Sequence, residues 1–474
     1  MVIGLEVHTQ LLTKSKLFCG DSIAFGAAPN TQVSAISLAH PGTLPVINKE
    51  VINLAIRLGL ALNCEISRHH YFARKNYFYP DLPKGYQVSQ HTAPVCNKGS
   101  LEVMVGDTAK IVQLHHIHIE EDAGKSIHDM DDSYTCVDLN RAGTPLLELV
   151  TEPCINSSEE AFAFLTALRR LVRWLDVCDG NMEEGSMRCD ANISIRLKGE
   201  TKLGTRVEVK NLNSIRNVKR AIDAEVERLV DIVENGQPVI QQTRSFDADK
   251  GTTFALRNKE EAEDYRYFPE PDLPPFFISN QHLESVQQNM PVLPYATEQL
   301  FKTNYGLSNY DVAVICSDKE DAKFYSNLVA DTKHYKAAAN WMLGPLKAWC
   351  NEQQKSFTEI PLKPVELASL INFTETGAVS FNIASTRLLQ AMLANGYNNP
   401  NELAKQMNLL QENNSDTIEN WVKEALESMP DKVKEYKTGK KGLIGLFAGQ
   451  VKKISKGKAD MQQATKILEQ QLNK

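Results

Sequence analysis

The chain lacks the long apolar run that a membrane-spanning helix requires. Such a helix needs about 20 consecutive, mainly apolar residues, and no segment of the 474 residues reaches that length. The first predicted strand already begins at Val2, so we expect no leader peptide before it. From these absences we expect a cytoplasmic protein with no membrane association.

The nine cysteines lack the spacing of a metal site or a disulfide framework. They are scattered from Cys19 to Cys350, and none forms a Cys-x-x-Cys pair. Common structural zinc sites use such pairs, and an odd number of cysteines in a large chain argues against a disulfide network. A structural zinc site of the common type therefore has little support.

The chain as a whole also lacks positive charge, which argues against wrapping by nucleic acid over its entire surface. Its net charge is −7, but residues 430–474 contain eleven lysines and no arginine against four acidic residues. This segment thus carries +7 and leaves −14 on the remainder. A basic tail on an acidic body suggests local contact with phosphates, although a solvated lysine-rich end fits the composition equally well.

Short alternating strands and interspersed helices predict an α+β N-terminal domain. Hairpin-like pairs favour a mainly antiparallel sheet, first 102–105 with 110–120 and then 188–196 with 206–210. A long helix should run from about Ile215 to Glu234 and stop at Gly236.

Three domains are expected along the chain. The sheet domain covers residues 1–290, and its exit is marked by the four prolines of residues 265–275. Later apolar residues recur at three- and four-residue spacing, which predicts an all-α region. A linker near residue 398 divides this region into a helical domain, 291–398, and a small helical tail domain, 399–474.

Four predicted strands carry polar side chains on one face, because residues two apart in a strand share a face. One such strand is usually just solvated, but four in one domain predict a polar site on the open face of a sheet. Carboxylates with an imidazole suit Mg²⁺ bound to nucleotide phosphates, and Arg and Lys would neutralise a transferring phosphoryl group. The four sets are Glu6 and His8; His116, His118 and Glu120; Arg188, Asp190 and Asn192; and Arg206, Glu208 and Lys210.

Three other motifs carry less weight. His116 and His118 resemble a transition-metal pair, but no cysteine or third histidine shares their face of the predicted strand, so we rank this below the Mg²⁺ interpretation. Gly124-Lys125-Ser126 imitates the end of a P-loop, yet Ile119 stands where that motif needs glycine. The basic and aromatic segment 74–87 can stack with nucleic acid, line a polar channel or form a packed loop.

Several long stretches of unusual composition carry a family resemblance that covers the chain nearly end to end. They are 3–11, 15–20, 38–45, 74–90, 118–128, 137–153, 181–195, 204–214, 264–275 and the lysine–glycine motif of 439–453. Together they resemble the B subunit of the tRNA-dependent amidotransferases that act on Asp-tRNA(Asn) and Glu-tRNA(Gln).

The resemblance implies a cradle-shaped kinase domain related in fold to glutamine synthetase, followed by a helical domain and a YqeY-like C-terminal region. It implies that ATP phosphorylates the side-chain carboxylate of misacylated Asp-tRNA(Asn) and/or Glu-tRNA(Gln), and that ammonia then displaces the phosphate. The implied cofactors are ATP and Mg²⁺. The implied partners are the glutaminase A subunit, the small C subunit in the same heterotrimer, and misacylated tRNA bound through the tail.

The resemblance also implies roles for individual residues. The metal ligands would be His8, Glu121 and Glu148, with Glu6 and Glu120 as close support, although Glu121 points away from Glu120 if the strand is regular. Ammonia would enter beside Lys75 and Lys84. The implied catalytic residues are Lys75, Lys84, Glu120, Asp190, Glu208 and Lys210, and the implied cofactor-binding residues are Glu6, Arg188, Asn192 and Arg206.

Two further hypotheses remain open on the residues alone. The chain could be a non-catalytic tRNA-binding scaffold, or a stand-alone carboxylate–amine ligase of the glutamine synthetase type. The polar strand faces favour catalysis over a scaffold. The lack of a Gly/Ser-rich amidase signature, together with the basic tail, favours a complex over a stand-alone ligase.

Overall fold

The computed structural model describes residues 1–131, 133–258, 265–396, 399–411 and 414–473. It divides into two compact units, Met1–Leu293 and Pro294–Lys474. The first combines a large sheet with helices and the second is helical, which confirms the α+β fold class. The division falls close to the predicted boundary at residue 290, and the second unit contains both the predicted helical domain and the predicted tail domain.

The described strands all lie in the first unit. Ten of them form one sheet in the order β15-β14-β13-β12-β1-β11-β8-β6-β2, with β7 paired to β8. Its described pairings are antiparallel except for that of β13 with β14. Within the described residues the strands are β1 (Val2–Gln10), β2 (Glu65–Ile66), β3 (His69–His70), β4 (Ala73–Asn76), β5 (Tyr86–Ser89), β6 (Cys96–Asn97), β7 (Ser100–Val105), β8 (Thr108–Glu121), β9 (Lys125–Ile127), β10 (Cys136–Asp138), β11 (Pro145–Thr151), β12 (Met187–Ser194), β13 (Val207–Leu212), β14 (Gln242–Asp247), β15 (Thr252–Asn258), β16 (Phe268–Pro269) and β17 (Phe276–Phe277).

The helices divide between the two units. Those of the first unit are α1 (Lys49–Ala61), α2 (Ser158–Trp174), α3 (Ile215–Glu234) and α4 (Asn280–Gln288). Those described in the second unit are α5 (Pro294–Thr303), α6 (Asn309–Ile315), α7 (Lys319–Val329), α8 (Tyr335–Trp341), α9 (Lys347–Gln353), α10 (Pro364–Glu375), α11 (Phe381–Ile383), α12 (Leu389–Asn395), α13 (Pro400–Gln406), α14 (Ser415–Glu427), α15 (Pro430–Lys437), α16 (Ile444–Ile454) and α17 (Met461–Leu472), with π-helical turns at Met342–Leu346 and Ala384–Leu388 and 3₁₀ turns at Phe357–Glu359 and Lys441–Leu443.

Side-chain caps explain where the two long helices of the first unit begin. The Ser157 hydroxyl accepts a hydrogen bond from the Glu160 amide at 3.1 Å and starts α2. The Ser214 hydroxyl caps α3 in the same way, through the Asn217 amide at 3.1 Å. Such caps satisfy amide groups that the first helical turn leaves unpaired. The predicted bounds of α3 are confirmed.

The central strand β1 is amphipathic, and its apolar face belongs to the main core. Ile3, Leu5 and Val7 are each 0% exposed and pack in one cluster with residues of α2 and α3. Burying each of these side chains contributes about 1.5–3 kcal/mol relative to exposure. Because side chains alternate along a strand, this anchorage presents Glu6 and His8 on the opposite face.

The end of the second unit has an apolar core of its own. Ile418 and Val422 of α14 pack there with Phe447 of α16 and Leu468 of α17. Lys452 and Lys453 lie exposed on α16. Every helix among the described residues is too short or too polar to span a bilayer.

The packing of α1 against β6 yields a stability prediction. A Cβ atom added at Gly59 would lie 2.4 Å from Cys96 Sγ and 2.7 Å from Ile66 Cδ1. We expect Gly59→Ala to lower the free energy of unfolding by about 1–3 kcal/mol through overpacking, as measured by chemical denaturation. Gly449→Ala is the control, because beyond its chain neighbours and the backbone of α16 no described atom lies within 4 Å of its added Cβ, and alanine favours a helix by about 0.5–1 kcal/mol relative to glycine. Wild-type stability of Gly59→Ala would contradict this packing.

Candidate active site

The site is organised by the pairing of β1 with two antiparallel neighbours. His8 lies directly opposite Glu148 of β11, and Glu6 lies opposite Asp190 of β12. Directly opposed residues of neighbouring strands place their side chains on the same face, with Cβ atoms about 4.5–5.5 Å apart. The register therefore gathers polar side chains distant in sequence on the open face of the sheet.

Three of these side chains form a compact group suited to a divalent cation. His8 Nε2 lies 3.2 Å from Glu148 Oε2 and 3.5 Å from Glu120 Oε1. One ligand atom from each residue lies within 4.8 Å of the other two. One imidazole nitrogen and two carboxylate oxygens are donors for ions such as Mg²⁺ and Mn²⁺, so this donor set fits the implied metal.

Glu121, the implied third metal ligand, lies on the other face of β8. Its side chain forms an ion pair with Lys84 and accepts a hydrogen bond from the Val88 amide at 3.0 Å. Alternation along the strand separates it from Glu120, which takes its place beside His8 and Glu148.

His118 joins the same group but was not among the implied site residues. Its Nε2 atom lies 3.4 Å from Glu148 Oε2 and 3.6 Å from Glu120 Oε2. Its Nδ1 atom lies 3.0 Å from His116 Nε2. The alternation of His116, His118 and Glu120 already placed these side chains on one face, but only the pairing with β11 puts His118 opposite Glu148.

Burial and neighbouring charges set the protonation of these imidazoles. Burial disfavours the charged form of His118, but the carboxylates of Glu148 and Glu120 outweigh it and raise its pKa to about 10. The pKa of His8 is also raised, because the same two carboxylates overcome its burial. For His116, burial and the nearby His118 lower the pKa to about 4.

A second acidic group lies beside the first and already contains a cation. Glu6, Asp190 and Glu208 each offer an oxygen within 4.8 Å of the others. The ammonium of Lys210 lies 2.7 Å from Asp190 Oδ2 and 2.8 Å from Glu208 Oε1. Burial disfavours the charged form of Lys210, but these carboxylates outweigh that effect and raise its pKa. Asn192 Nδ2 donates to Glu6 Oε1 at 2.9 Å. The predicted residues Glu6, Asp190, Asn192 and Glu208 thus come from three strands and lie in one group with Lys210.

Arg188 adds a second positive charge to the open face. Its Nη2 atom lies 2.8 Å from Asp122 Oδ2, which also accepts a hydrogen bond from Gln10 at 2.8 Å. Asp122 was not singled out from sequence as a site residue, because it follows the regular part of β8. Arg206 precedes β13 and is exposed, so the structure does not bring it into either group.

The two implied ammonia-entry lysines lie apart from the metal-binding group. Lys75 Nζ lies 4.9 Å from the centre of the Tyr265 ring, within reach of a cation–π interaction. Lys84 pairs with Glu121 and lines a cavity of about 30 Å³ together with the buried side chain of Lys16. Lys75 therefore lies beside an aromatic ring, and Lys84 lines a small cavity.

Comparison with known proteins identifies the family. The family model described as the GatB/GatE catalytic domain matches residues 1–284, and the one described as the GatB domain matches residues 323–472. The B subunit of the aspartyl/glutamyl-tRNA(Asn/Gln) amidotransferase of Thioalkalivibrio sulfidiphilus is 47% identical over 473 residues, which is 99% of both chains. The chain belongs to the amidotransferase B-subunit family.

Other B-subunit proteins agree with this assignment. The protein of Methylobacillus flagellatus is 46% identical and that of Syntrophotalea carbinolica is also 46% identical, each over 100% of this chain. The matches cover 99% and 98% of those relatives, respectively. The resemblance read from the sequence is thereby confirmed, and the chain is a component of a ligase-type amidotransferase complex.

The histidines of this B-subunit protein offer a direct test of the site's electrostatics. Imidazole ¹⁵N NMR of the metal-free protein should show His118 protonated from about pH 5 to 8 and His116 neutral at about pH 6. Because the pKa of folded His118 exceeds the unfolded value of about 6.5, its pairing stabilises the fold fully below that pH. This contribution is lost as the pH rises through about 10. Titration of His118 near the unfolded value would contradict the observed contacts.

Proposed function

We propose that this chain phosphorylates the side-chain carboxylate of misacylated Asp-tRNA(Asn), Glu-tRNA(Gln) or both with ATP, and then amidates it with ammonia. The observation that carries the proposal is the adjacency of two groups on one sheet face. One is the metal-binding set of His8, Glu120 and Glu148, and the other is the set of carboxylates around Lys210. The names of the relatives, which specify both tRNA(Asn) and tRNA(Gln), support both substrates.

The chemistry explains why both groups are needed. A carboxylate is a poor electrophile until one of its oxygens becomes a leaving group. In the first step a carboxylate oxygen attacks the γ-phosphorus of ATP, and ADP leaves. In the second, the ammonia nitrogen attacks the acyl carbon, inorganic phosphate leaves and the nitrogen loses a proton. Both steps build or move negative charge that fixed cations stabilise.

The residues divide these tasks by their positions. His8, Glu120 and Glu148 would hold Mg²⁺, which when bound neutralises phosphate charge. Lys210 and Arg188 present fixed positive charge from β13 and β12, where the nucleotide phosphates would bind. Their carboxylate partners keep the two cations in position before the phosphates arrive.

Nearby polar side chains would complete the pocket. Glu6 and Asn192, which are hydrogen-bonded to each other, would orient the nucleotide or the acyl phosphate. Lys75 and Lys84 would guide ammonia from the segment 74–90, and Glu121 would serve this path through its ion pair with Lys84. Arg206 would reach the nucleotide from its exposed position just before β13.

Partner chains would supply what this chain lacks. Its sequence contains no amidase signature, so ammonia would come from the glutaminase A subunit, and the small C subunit would brace the pair. The lysine-rich tail domain would bind the tRNA, because exposed lysines such as Lys452 and Lys453 can contact phosphates.

Substitutions in the metal-binding group test the catalytic proposal. In the assembled complex, His8→Ala and Glu120→Ala should each lower tRNA-dependent ATP hydrolysis by about 100-fold or more, because charge on the moving phosphoryl group loses its stabilisation. Each misacylated tRNA should be assayed with ATP and ammonia, and amide product measured. The side chain of Glu121 lies on the other face of β8, so Glu121→Gln should leave the Mg²⁺ concentration for half-maximal activity unchanged. Glu120→Gln should raise that concentration.

The control for these variants is His128→Ala, which removes an exposed imidazole of the same unit. It should retain wild-type turnover, and all variants should co-purify with the partner subunits. Full ATP hydrolysis by His8→Ala would eliminate the catalytic role of the open sheet face. Equal Mg²⁺ dependence of Glu120→Gln and Glu121→Gln would show that the observed set does not hold the ion.

Charge reversal in the tail tests its role in tRNA binding. Deletion of residues 399–474, or the milder pair Lys452→Glu and Lys453→Glu, should weaken tRNA binding at least about tenfold, because phosphate contacts are lost. The paired substitution should also reduce the slope of the logarithm of the binding constant against the logarithm of the salt concentration. The reduction should correspond to the loss of about one or two phosphate contacts. Filter binding at several salt concentrations measures both effects. Lys323→Glu with Lys333→Glu, also exposed in this unit, is the matched control, and tRNA affinity that survives the deletion would refute the tail's role.

A further inference from the structure

A parallel stack of two rings lies in the first unit and has no part in the phosphorylation scheme. The rings of His91 and Tyr267 have centroids 3.9 Å apart and planes inclined by 7°. His91 is exposed and Tyr267 is half-buried. The pair therefore forms a rigid aromatic surface whose solvent-exposed member is an imidazole.

A buried amide fixes His91 beside the strand that carries Glu120. Gln90 is 1% exposed, and its side-chain oxygen accepts hydrogen bonds from the amides of Val95 at 3.1 Å and Ile119 at 3.0 Å. Ile119 directly precedes Glu120 on β8. The turn that presents His91 is thus attached to the end of β8 at which the metal-binding group lies.

Tyr267 is held from the other side by the segment that leaves the sheet domain. Asn76 Nδ2 donates to the carbonyl oxygens of Tyr265 at 3.1 Å and Arg266 at 2.8 Å. Phe268, which follows Tyr267, pairs with Arg74 of β4. Burial, together with the nearby carboxylates of Glu120 and Glu148, keeps the Tyr267 phenol protonated by raising its pKa to about 12. The stack therefore lies within electrostatic reach of the metal-binding group.

The order of the strands separates this stack from the cations that suit ATP phosphates. Arg188 and Lys210 lie on β12 and β13, whereas Gln90 attaches the stack to β8. Strands β1 and β11 lie between β12 and β8, a separation of about 14 Å at the usual strand spacing. With the nucleotide phosphates on the β12 side, the β8 side is left for the acyl substrate.

We propose that the His91–Tyr267 stack holds the 3′-terminal adenine of the aminoacyl-tRNA, so that the ester-linked amino acid reaches the metal-binding group. This inference rests on the proposed function, in which the reacting carboxylate is carried on the ribose of that terminal adenosine. Aromatic side chains bind unpaired bases by stacking. The adenine would extend the stack by one ring on the exposed imidazole.

Substitution of His91 in the assembled complex tests the proposal. His91→Ala should raise KM for misacylated tRNA by about 5- to 100-fold, in line with the usual loss of one base–aromatic stack, and leave KM for ATP and for ammonia unchanged. His91→Phe should restore near-wild-type KM because it keeps a ring in place. His40→Ala, which removes another exposed imidazole of the same unit, is the control. A rise in KM for ATP would assign the stack to the nucleotide and overturn the proposal, as would equal losses in His91→Ala and His91→Phe.

A binding measurement separates this inference from the proposed reaction. A tRNA whose terminal adenine is replaced by 2-aminopurine should lose fluorescence on binding to the wild-type and His91→Phe complexes, because stacking quenches that base. His91→Ala should quench much less at saturating protein. Quenching without tRNA-dependent amidation would refute the proposed function and leave the stack supported, whereas amidation with equal quenching in His91→Ala would refute the stack alone.

Discussion

The pairing of β1 with β11 on one side and β12 on the other is the constraint on which the site depends. It places His8 opposite Glu148 and Glu6 opposite Asp190, while Ile3, Leu5 and Val7 enter the core. A shift of one residue would turn every side chain of the strand to the other face. The fully buried apolar set therefore fixes the register, and through it the separation of the two acidic groups.

The open face concentrates carboxylates that would repel one another without nearby cations. Lys210 neutralises the group around Asp190, and the raised pKa values of His8 and His118 show how strongly the other group attracts positive charge. In the metal-free protein, protons bound to the two imidazoles balance part of the negative charge of these carboxylates. A divalent ion would compete with those protons. The affinity for the metal should therefore rise as the pH increases and the imidazoles lose their protons.

The amount that sequence could predict differs from residue to residue. Period-two alternation correctly grouped His116, His118 and Glu120 on one strand face, and it indicated that Glu121 points the other way. The family resemblance nevertheless implied Glu121 as a metal ligand, and the structure pairs it with Lys84. His118 was predicted on the polar face of its strand but was not among the implied site residues, because its carboxylate neighbour Glu148 comes from another strand, and no local pattern reveals which strands become neighbours.

The sequence by itself determined the α+β class, the family, the long helix α3 and the polar faces of the strands. These follow from local periodicity and from motifs that need no knowledge of distant contacts. Only the tertiary structure decided which polar faces meet, since strand order and register depend on long-range burial of the apolar faces. It alone could set His118 beside Glu148, surround Lys210 with two carboxylates, and stack His91 on a tyrosine 176 residues away in sequence.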